Sequence, residues 1–512
     1  PYRFVDSGRE DYGTPELAAR VKAIFGRDPV ELRESFLASD ENGTSLEIHE
    51  NGAGGKAAFI AGQGIEREDA LGVLREAVLA CVTPEIEISS DEVFYLHRVK
   101  DGRDFFFLCN PVEKGGRVHI SLEGEWRPEL WNLETGAVEP LFVYRVQNGK
   151  TSFELDMQPY GSCMVSVAEK PAAVYAESSD ITVDAAEGRV LEGYARLEKD
   201  GKVSVHTPEG VTEHVLKAEK PLEPVSFGDT WAFSTDKPNA LLTDEWKVAY
   251  ADCGYDPAAA DSTDYSGWMD FRMGAWEMQL PEERDEETYP VDLWYVASFE
   301  ADYLPEDLRL MIDGFKGEKY ELYINGKRMD ETPVRSYLDA EIKEVPLKGY
   351  ARLGSNTVAV KLTVRKKSDG MVDLLKVIGS FSVGEKGGKD VILPPVRTMK
   401  MGDWTTMGLP YYSGTGIYTQ TIELHEDYAG KELFLSADVG TDVLEVYVNG
   451  ELVKTCLWNP YTANLTGALK PGKNEITLKV VNTLINLLEG TRNPSGLFAA
   501  QIVPFDRYRV EL

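Results

Sequence analysis

The stretch Leu-Tyr-Ile-Asn-Gly-Lys at residues 322–327 occurs a second time, in related form, as Val-Tyr-Val-Asn-Gly-Glu at residues 446–451. In both places the alternating residues predict a strand, and the Asn-Gly pair predicts a two-residue type I′ hairpin turn. Each copy is followed by a Gly-x-Asn turn, at 354–356 and 472–474, that leads into another alternating strand. The chain therefore contains two copies of one β-sandwich.

The pattern changes as one moves upstream from this repeat. Before residue 86, helix signals near 14–26, 28–36 and 66–82 alternate with two short strands, which is typical of the end of an α/β layer. After residue 86, period-two alternation predicts a mainly β chain, and helix-length segments are too rare for the eight βα units of a TIM barrel. We predict four parts: a partial α/β domain at 1–85, a small antiparallel β-sandwich at 86–170, a linker plus jelly-roll β-sandwich at 171–388, and a jelly-roll β-sandwich at 389–512.

The composition restricts the partners. The 512 residues include 54 Lys and Arg against 86 Asp and Glu, a net charge of −32. Such a surface repels phosphate, so we expect no nucleic acid and no membrane partner, whereas neutral sugars remain compatible. No apolar run is long enough to span a bilayer. The chain starts at Pro1 without an initiator Met or signal segment, so we expect a piece of a longer protein, secreted or cytoplasmic.

No motif assigns a catalytic residue. The six histidines are scattered without metal-ligand spacing, and a nucleophilic Gly-x-Ser-x-Gly elbow is absent. The five cysteines are dispersed and odd in number, which argues against a disulfide framework or a zinc site. We therefore predict no metal site and no cofactor, while leaving open a structural calcium in a jelly roll.

Aromatic side chains outside the alternating runs predict a carbohydrate site, because sugar rings stack their C–H faces on flat side chains. The last module has six candidate carbohydrate-binding residues in turn-rich segments: Trp404, Tyr411, Tyr412, Trp458, Asn459 and Tyr461. The module before it places Trp231, Trp246, Trp268 and Trp276 in similar segments. The alternative is that these rings fill the ends of the sandwich cores.

Two groups of segments carry a resemblance to known proteins. In the last module they are Tyr-Ser-Gly-Thr-Gly-Ile-Tyr at 412–418, Leu-Trp-Asn-Pro-Tyr at 457–461 and Leu-Thr-Gly-Ala-Leu-Lys-Pro-Gly-Lys-Asn at 465–474. In the earlier sandwich they are Phe-Tyr-Leu-His-Arg at 94–98, Phe-Leu-Cys-Asn-Pro at 107–111 and Pro-Tyr-Gly-Ser at 159–162. The first group resembles the C-terminal jelly roll of large bacterial α-L-rhamnosidases of glycoside hydrolase family 106. It is also similar to the sugar-binding domain of family 2 enzymes such as β-galactosidases. The second group resembles the sandwich that follows the catalytic barrel in such proteins.

The resemblance implies both a fold and a function. It implies a partial, amidotransferase-like α/β domain followed by an antiparallel sandwich and two galactose-binding-like jelly rolls. The implied function is the non-catalytic C-terminal portion of a bacterial, α-L-rhamnosidase-like glycoside hydrolase acting on plant or host glycans. Its implied partners are carbohydrate and the N-terminal catalytic barrel of the same protein; the barrel's acid and base carboxylates have no counterpart in this sequence, so no catalytic residue is transferred. The alternative is a stand-alone carbohydrate-binding or protein-interaction β-sandwich assembly with no hydrolase activity.

Overall fold

The structure is a computed structural model that describes residues 15–38, 45–61, 68–243, 245–275 and 289–512. The described chain is mainly β, which confirms the predicted fold class. It divides into two compact units. One contains the described residues up to Asp91 together with 117–126 and 146–155, and the other contains the described residues of 92–116, 127–145 and 156–512.

The beginning of the first unit holds the predicted helices and hairpin. These elements are α1 (Pro15–Phe25), α2 (Pro29–Ala38), β1 (Ser45–Glu50), β2 (Lys56–Ala61) and α3 (Glu68–Cys81). Asp28 caps α2, because its Oδ1 accepts the Val30 N–H at 3.0 Å. Gly26 follows α1 with a φ of 72°, a left-handed conformation that ends helices.

The strands predicted between residues 86 and 170 are present in two antiparallel sheets. They are β3 (Ile86–Ile88), β4 (Phe94–Lys100), β5 (Arg103–Cys109), β6 (Gly116–Glu123), β7 (Arg127–Trp131), β8 (Val138–Pro140), β9 (Arg145–Gln147), β10 (Lys150–Met157) and β11 (Ser162–Glu169). One sheet has the order β3-β6-β10-β9 and the other β4-β5-β11-β7-β8. The predicted Asp101-Gly102 hairpin turn joins β4 to β5, and both of its residues have positive φ.

The strands that follow were not predicted from the sequence. They are β12 (Tyr175–Ser179), β13 (Thr182–Glu187), β14 (Val190–Ala195), β15 (Gly201–Thr207), β16 (Gly210–Leu216) and β17 (Val225–Ser226). Three of them form a separate sheet in the order β12-β15-β16. The others pair elsewhere: β13 joins β14, and β14 and β17 both join the last strand of the chain.

The first copy of the repeat is a sandwich of two sheets. After β18 (Trp231–Thr235), its strands are β19 (Asn239–Thr243), β20 (Trp246–Tyr250), β21 (Met269–Phe271), β22 (Val291–Ala301), β23 (Arg309–Ile312), β24 (Phe315–Lys316), β25 (Lys319–Ile324), β26 (Lys327–Arg328), β27 (Val334–Arg335), β28 (Lys343–Pro346), β29 (Gly354–Val364), β30 (Gly370–Met371), β31 (Leu375–Gly379), β32 (Ser382–Lys386) and β33 (Lys389–Leu393). The larger sheet runs β21-β20-β22-β29-β25-β26, with β33 and β32 added beside β22. The smaller sheet runs β19-β31-β23-β28-β27, and β24 pairs with β30 in a separate two-stranded sheet.

The second copy also has two sheets. Its further elements are β34 (Thr398–Met399), β35 (Thr415–Leu424), β36 (Glu432–Asp438), β37 (Val443–Val448), β38 (Glu451–Cys456), β39 (Thr462–Asn464), β40 (Gly472–Val481), α4 (Ile485–Leu488) and β41 (Ala499–Glu511). One sheet runs β34-β18-β35-β40-β37-β38, and the other runs β13-β14-β41-β36-β39. Strand β18 therefore lies in the second copy, although the first copy follows it directly in sequence.

Equivalent tryptophans fill the two cores. Trp246 is 1% exposed in the core of the first copy, and Trp231 is completely buried in the core of the second. Each begins a strand that pairs with the long central strand of its sheet, β22 or β35. Both rings are thus core residues, and our expectation that they lie in ligand-binding loops is corrected. Trp276 lies outside the described residues.

Candidate functional site

The structure buries most of the six predicted carbohydrate-binding residues. Trp404 and Tyr412 are fully buried, and Tyr461 is 3% exposed, all in the core of the second sandwich. The Trp404 ring lies so close to β35 that a Cβ at Gly416 would come within 2.3 Å of it. No ring face of these three is open to a sugar, so the structure supports the core alternative and corrects the predicted stacking role.

Tyr411 lies where the two sandwiches meet. Its ring joins an apolar cluster with Met311 and Ile378 of the first copy and Leu487 of the second. The guanidinium of Arg492 lies 4.9 Å from the ring centre and donates to the Tyr411 hydroxyl at 2.9 and 3.1 Å. These contacts give Tyr411 a packing role between the two copies.

Trp458 is the predicted aromatic residue that reaches the surface. Its side chain is 38% exposed, beside Leu457 at 43%, and Asn459 next to it is half-buried. The backbone of this segment is fixed, because the Leu457 N–H donates to Glu134 Oε1 at 2.9 Å. Sugar contact at Trp458 and Asn459 stays a prediction.

A cleft of about 790 Å³ opens on the outer face of the larger sheet of the first sandwich. Val296 lies in its floor and is 4% exposed; Trp246 and Phe271 also border it, but their rings point into the core on the opposite face of the sheet. Polar groups and one tyrosine ring complete the lining: Glu245, Lys247, Tyr265, Asp270, Arg272, Ser298 and Thr357. An apolar floor with a few polar groups around it is the usual composition of a small-molecule site.

The strand register explains why these polar groups meet. Lys247 of β20 lies opposite Val296 of β22, and Ser298 of β22 lies opposite Thr357 of β29. Side chains of residues 296 and 298 point to the same face of a strand, because the side-chain period of a strand is two. Asp270 of the edge strand β21 faces Lys247, and the two side chains form an ion pair at 2.5 Å.

One wall of the cleft is the segment between β20 and β21. The Tyr265 hydroxyl donates to the Ala260 carbonyl at 3.1 Å and lies within hydrogen-bond distance of the Tyr255 hydroxyl, at 3.3 Å. Tyr255 packs edge-on against Trp268 and Trp294 at 5.2 and 5.1 Å. Burial, together with the hydrogen bond between Tyr255 and Tyr265, raises the pKa of the Tyr255 hydroxyl. The aromatic cluster gives the wall a fixed position.

The second sandwich has the same sheet without this wall. Trp294 lies opposite Lys361 in the first copy, and Ile417 lies opposite Lys479 at the matching place in the second. There the ammonium of Lys479 lies 4.2 Å from the ring centre of Tyr447. The cleft is thus an addition to one copy of a shared framework.

Trp268 was identified from the sequence, whereas the tyrosines and the polar strand residues of the cleft were not. A signal was available: residues 255–268 hold three aromatic residues between two strands. Among the described residues, no three acidic, histidine or cysteine side chains are grouped to hold a metal ion. No helix in the described part of the chain has the length and apolarity needed to cross a membrane.

Comparisons with known proteins return glycosidases. No protein-family model matches the chain. A protein of Formosa agariphila described as "Putative beta-glucuronidase" is 30% identical over 105 residues, which is 20% of this chain and 9% of that protein. This match agrees with the resemblance to glycoside hydrolases found in the sequence.

Two solved rhamnosidases are also similar. The rhamnosidase of Novosphingobium sp. PP1Y aligns with 89% of this chain and 27% of its own, at 16% identity and a TM-score of 0.34. The Streptomyces avermitilis α-L-rhamnosidase, solved in complex with L-rhamnose, aligns with 83% of this chain and 40% of its own, at 11% identity and a TM-score of 0.26. The chain therefore spans less than half the length of each of these relatives.

Proposed function

We propose that this chain is a non-catalytic portion of a glycoside hydrolase that acts on plant or host glycans. In this proposal the sandwiches support a catalytic barrel of the same protein and bind carbohydrate. The observation that carries the proposal is the architecture beyond Cys81. There the described residues form antiparallel sheets, apart from one parallel pair, and their only α-helix is the four-residue α4. These residues contain no βα repeat of the kind that builds a catalytic barrel.

Two further observations support a carbohydrate partner. The sequence match is to a protein described as a glucuronidase, and the segments at 412–418 and 457–474 resemble α-L-rhamnosidases. The chain also has a cleft with an apolar floor and with hydroxyl, carboxylate and ammonium groups, which form hydrogen bonds with sugar hydroxyls. A structural calcium in a jelly roll remains a separate, untested prediction.

Hydrolysis by the isolated chain tests the non-catalytic part of the proposal. The purified 512-residue chain is incubated with p-nitrophenyl α-L-rhamnoside and p-nitrophenyl β-D-glucuronide, and released nitrophenol is measured. We expect no turnover above buffer. Turnover that a single substitution within the chain abolishes would overturn the proposal, because contaminating enzymes do not respond to such a change.

The second candidate is a stand-alone carbohydrate-binding or protein-interaction assembly. The exposed Trp458 beside Leu457 favours this candidate, because an exposed apolar pair can bind a partner as well as a sugar. The genomic sequence upstream of Pro1 separates the two candidates. A reading frame with repeated βα units supports the hydrolase portion, and an initiator Met directly before Pro1 supports the stand-alone assembly.

A further inference from the structure

We infer that the cleft on the first sandwich is a saccharide site, and that it selects a neutral pyranose over a uronate. This inference rests on the proposed glycan-handling function and assigns it to a place in the fold. The place differs from the aromatic segments of the second sandwich that the sequence indicated. Three features of the cleft carry the assignment.

The first feature is the combination of surfaces. Tyr265 supplies a flat ring in the wall and packs against the apolar cluster that includes Val296. A pyranose ring has apolar C–H faces and a rim of hydroxyls, so one face can stack on this ring while its rim turns toward polar groups. Ser298 and Thr357 lie side by side on neighbouring strands, where their hydroxyls can each donate and accept.

The second feature is the balance of charge. The cleft has two carboxylates, Glu245 and Asp270, and two cations, Lys247 and Arg272. Lys247 and Asp270 are already paired with each other, and the chain as a whole carries −32. A uronate would add a negative charge to a strongly acidic protein at a site whose own charges cancel. A neutral sugar avoids this electrostatic repulsion, and its hydroxyls still donate hydrogen bonds to the carboxylates and accept them from the cations.

The third feature is the difference between the two copies. The wall of the cleft is anchored on parts that both copies share. A Cβ on Gly326 would come within 2.7 Å of the carbonyl oxygen of Pro257, so the wall packs directly on the Asn-Gly turn. Arg352, before the Gly-x-Asn turn, forms an ion pair with Asp261 at 2.6 Å. In the second copy the matching strands β18 and β34 are joined by the first sandwich instead, so this kind of sheet forms without the aromatic segment.

Saturation-transfer difference NMR on the full chain tests the inference. The probes are L-rhamnose, D-galactose, D-glucose and D-glucuronate, each titrated against the wild type and four variants. Tyr265→Ala removes the ring. Thr357→Val removes one hydroxyl with little change of shape, so it still tests the cleft if Tyr265→Ala fails to fold. The matched controls are Tyr447→Ala, on the equivalent face of the second copy, and Trp458→Ala.

We expect at least one neutral pyranose to give signals that exceed those of glucuronate. These signals should fall at least fivefold in Tyr265→Ala and Thr357→Val and persist in both controls. The inference is overturned if no neutral pyranose binds, if glucuronate binds best, or if both cleft variants bind like the wild type. Loss of binding in Trp458→Ala alone would move the site to the second sandwich and leave the proposed function intact. Failure of the proposed function shows separately, as turnover of an aryl glycoside.

Discussion

The side-chain amide of Asn325 donates to Oδ1 of Asn356 at 2.8 Å. The same bond joins Asn449 to Asn474 at 3.1 Å in the second sandwich. In each copy the first asparagine begins the hairpin turn, with φ of 50° and 52°, and the second is almost completely buried. The pair ties the hairpin turn to the following Gly-x-Asn turn, so both copies of the repeat keep the same connection between their strands.

Asn356→Ala should lower the free energy of unfolding by about 2–4 kcal/mol, because the buried amide of Asn356 makes several hydrogen bonds that alanine cannot replace. Asn356 donates to the carbonyls of Arg352 and Gly354 at 2.7 and 3.0 Å and accepts the Arg352 N–H at 2.8 Å. Urea unfolding followed by tryptophan fluorescence measures the change. Exposed Ser355→Ala is the control and should change little. A loss below 0.5 kcal/mol for Asn356→Ala, on the order of a surface substitution, would contradict the role of the pair.

The Asn-Gly pair also shows what sequence patterns can predict. It specified a turn through local chemistry, since two adjacent residues with positive φ favour Asn and Gly. It could not specify that Ala232 of β18 pairs with Thr419 of β35, a contact across the whole first sandwich. That pairing depends on how the strands assemble, and the alternation within β18 is the same for either sheet.

The candidate site was harder to predict for a related reason. Trp404 and Tyr265 both lie in turn-rich segments, and in the sequence nothing distinguishes them. In the structure Trp404 packs under β35, where Gly416 makes room, whereas Tyr265 stands in the wall of a cleft. Burial of an aromatic residue in a loop depends on tertiary packing. Composition and spacing could therefore identify candidate aromatic residues but could not tell which of them are buried.

Tyr412→Phe should destabilise the chain by about 1–2 kcal/mol and leave sugar binding unchanged. The Tyr412 hydroxyl bonds Asp236 Oδ1 at 3.0 Å and the Thr415 carbonyl at 2.9 Å, inside the protein. Urea unfolding gives the stability, and the NMR titration with neutral pyranoses gives the binding. Tyr447→Phe, on the sheet surface, is the matched control. Unchanged stability together with lost sugar signals would instead place Tyr412 in contact with ligand.

Asp442→Asn should stabilise the chain above pH 7 and have little effect near pH 4. Asp442 is 5% exposed, its Oδ2 has no partner among the described residues, and burial raises its pKa to about 7. The folded state therefore holds this proton up to about pH 7, whereas the unfolded state loses it near 4. The protonated group therefore stabilises the folded state at low pH. As the pH rises to 7, the free energy of unfolding falls by on the order of 4 kcal/mol.

Thermal unfolding between pH 4.5 and 8.5 measures this effect. The wild type should lose stability across that range relative to Asp442→Asn, whose side chain keeps its shape without ionising. The control is Asp229→Asn, since Asp229 is exposed in the same sandwich. Parallel pH profiles for the wild type and Asp442→Asn would show that the carboxylate is ionised in the folded state throughout.

Lys376→Met should leave the chain as stable as the wild type or stabilise it by about 1–2 kcal/mol, because it removes a buried charge and keeps the volume. The Lys376 side chain is fully buried, and its Nζ lies 3.8 Å from Asp373 Oδ1, too far for a hydrogen bond. Burial lowers the pKa of Lys376, so the unfolded state binds more protons between this lowered pKa and 10.5, and stability rises with pH there. Lys376→Met should abolish that rise in urea unfolding at pH 7 to 10.

Lys386→Met, which removes an exposed partner of Asp302, is the control and should cost at most about 1 kcal/mol. A loss of several kcal/mol in Lys376→Met would mean that the attraction between Lys376 and Asp373 outweighs the desolvation of the ammonium group.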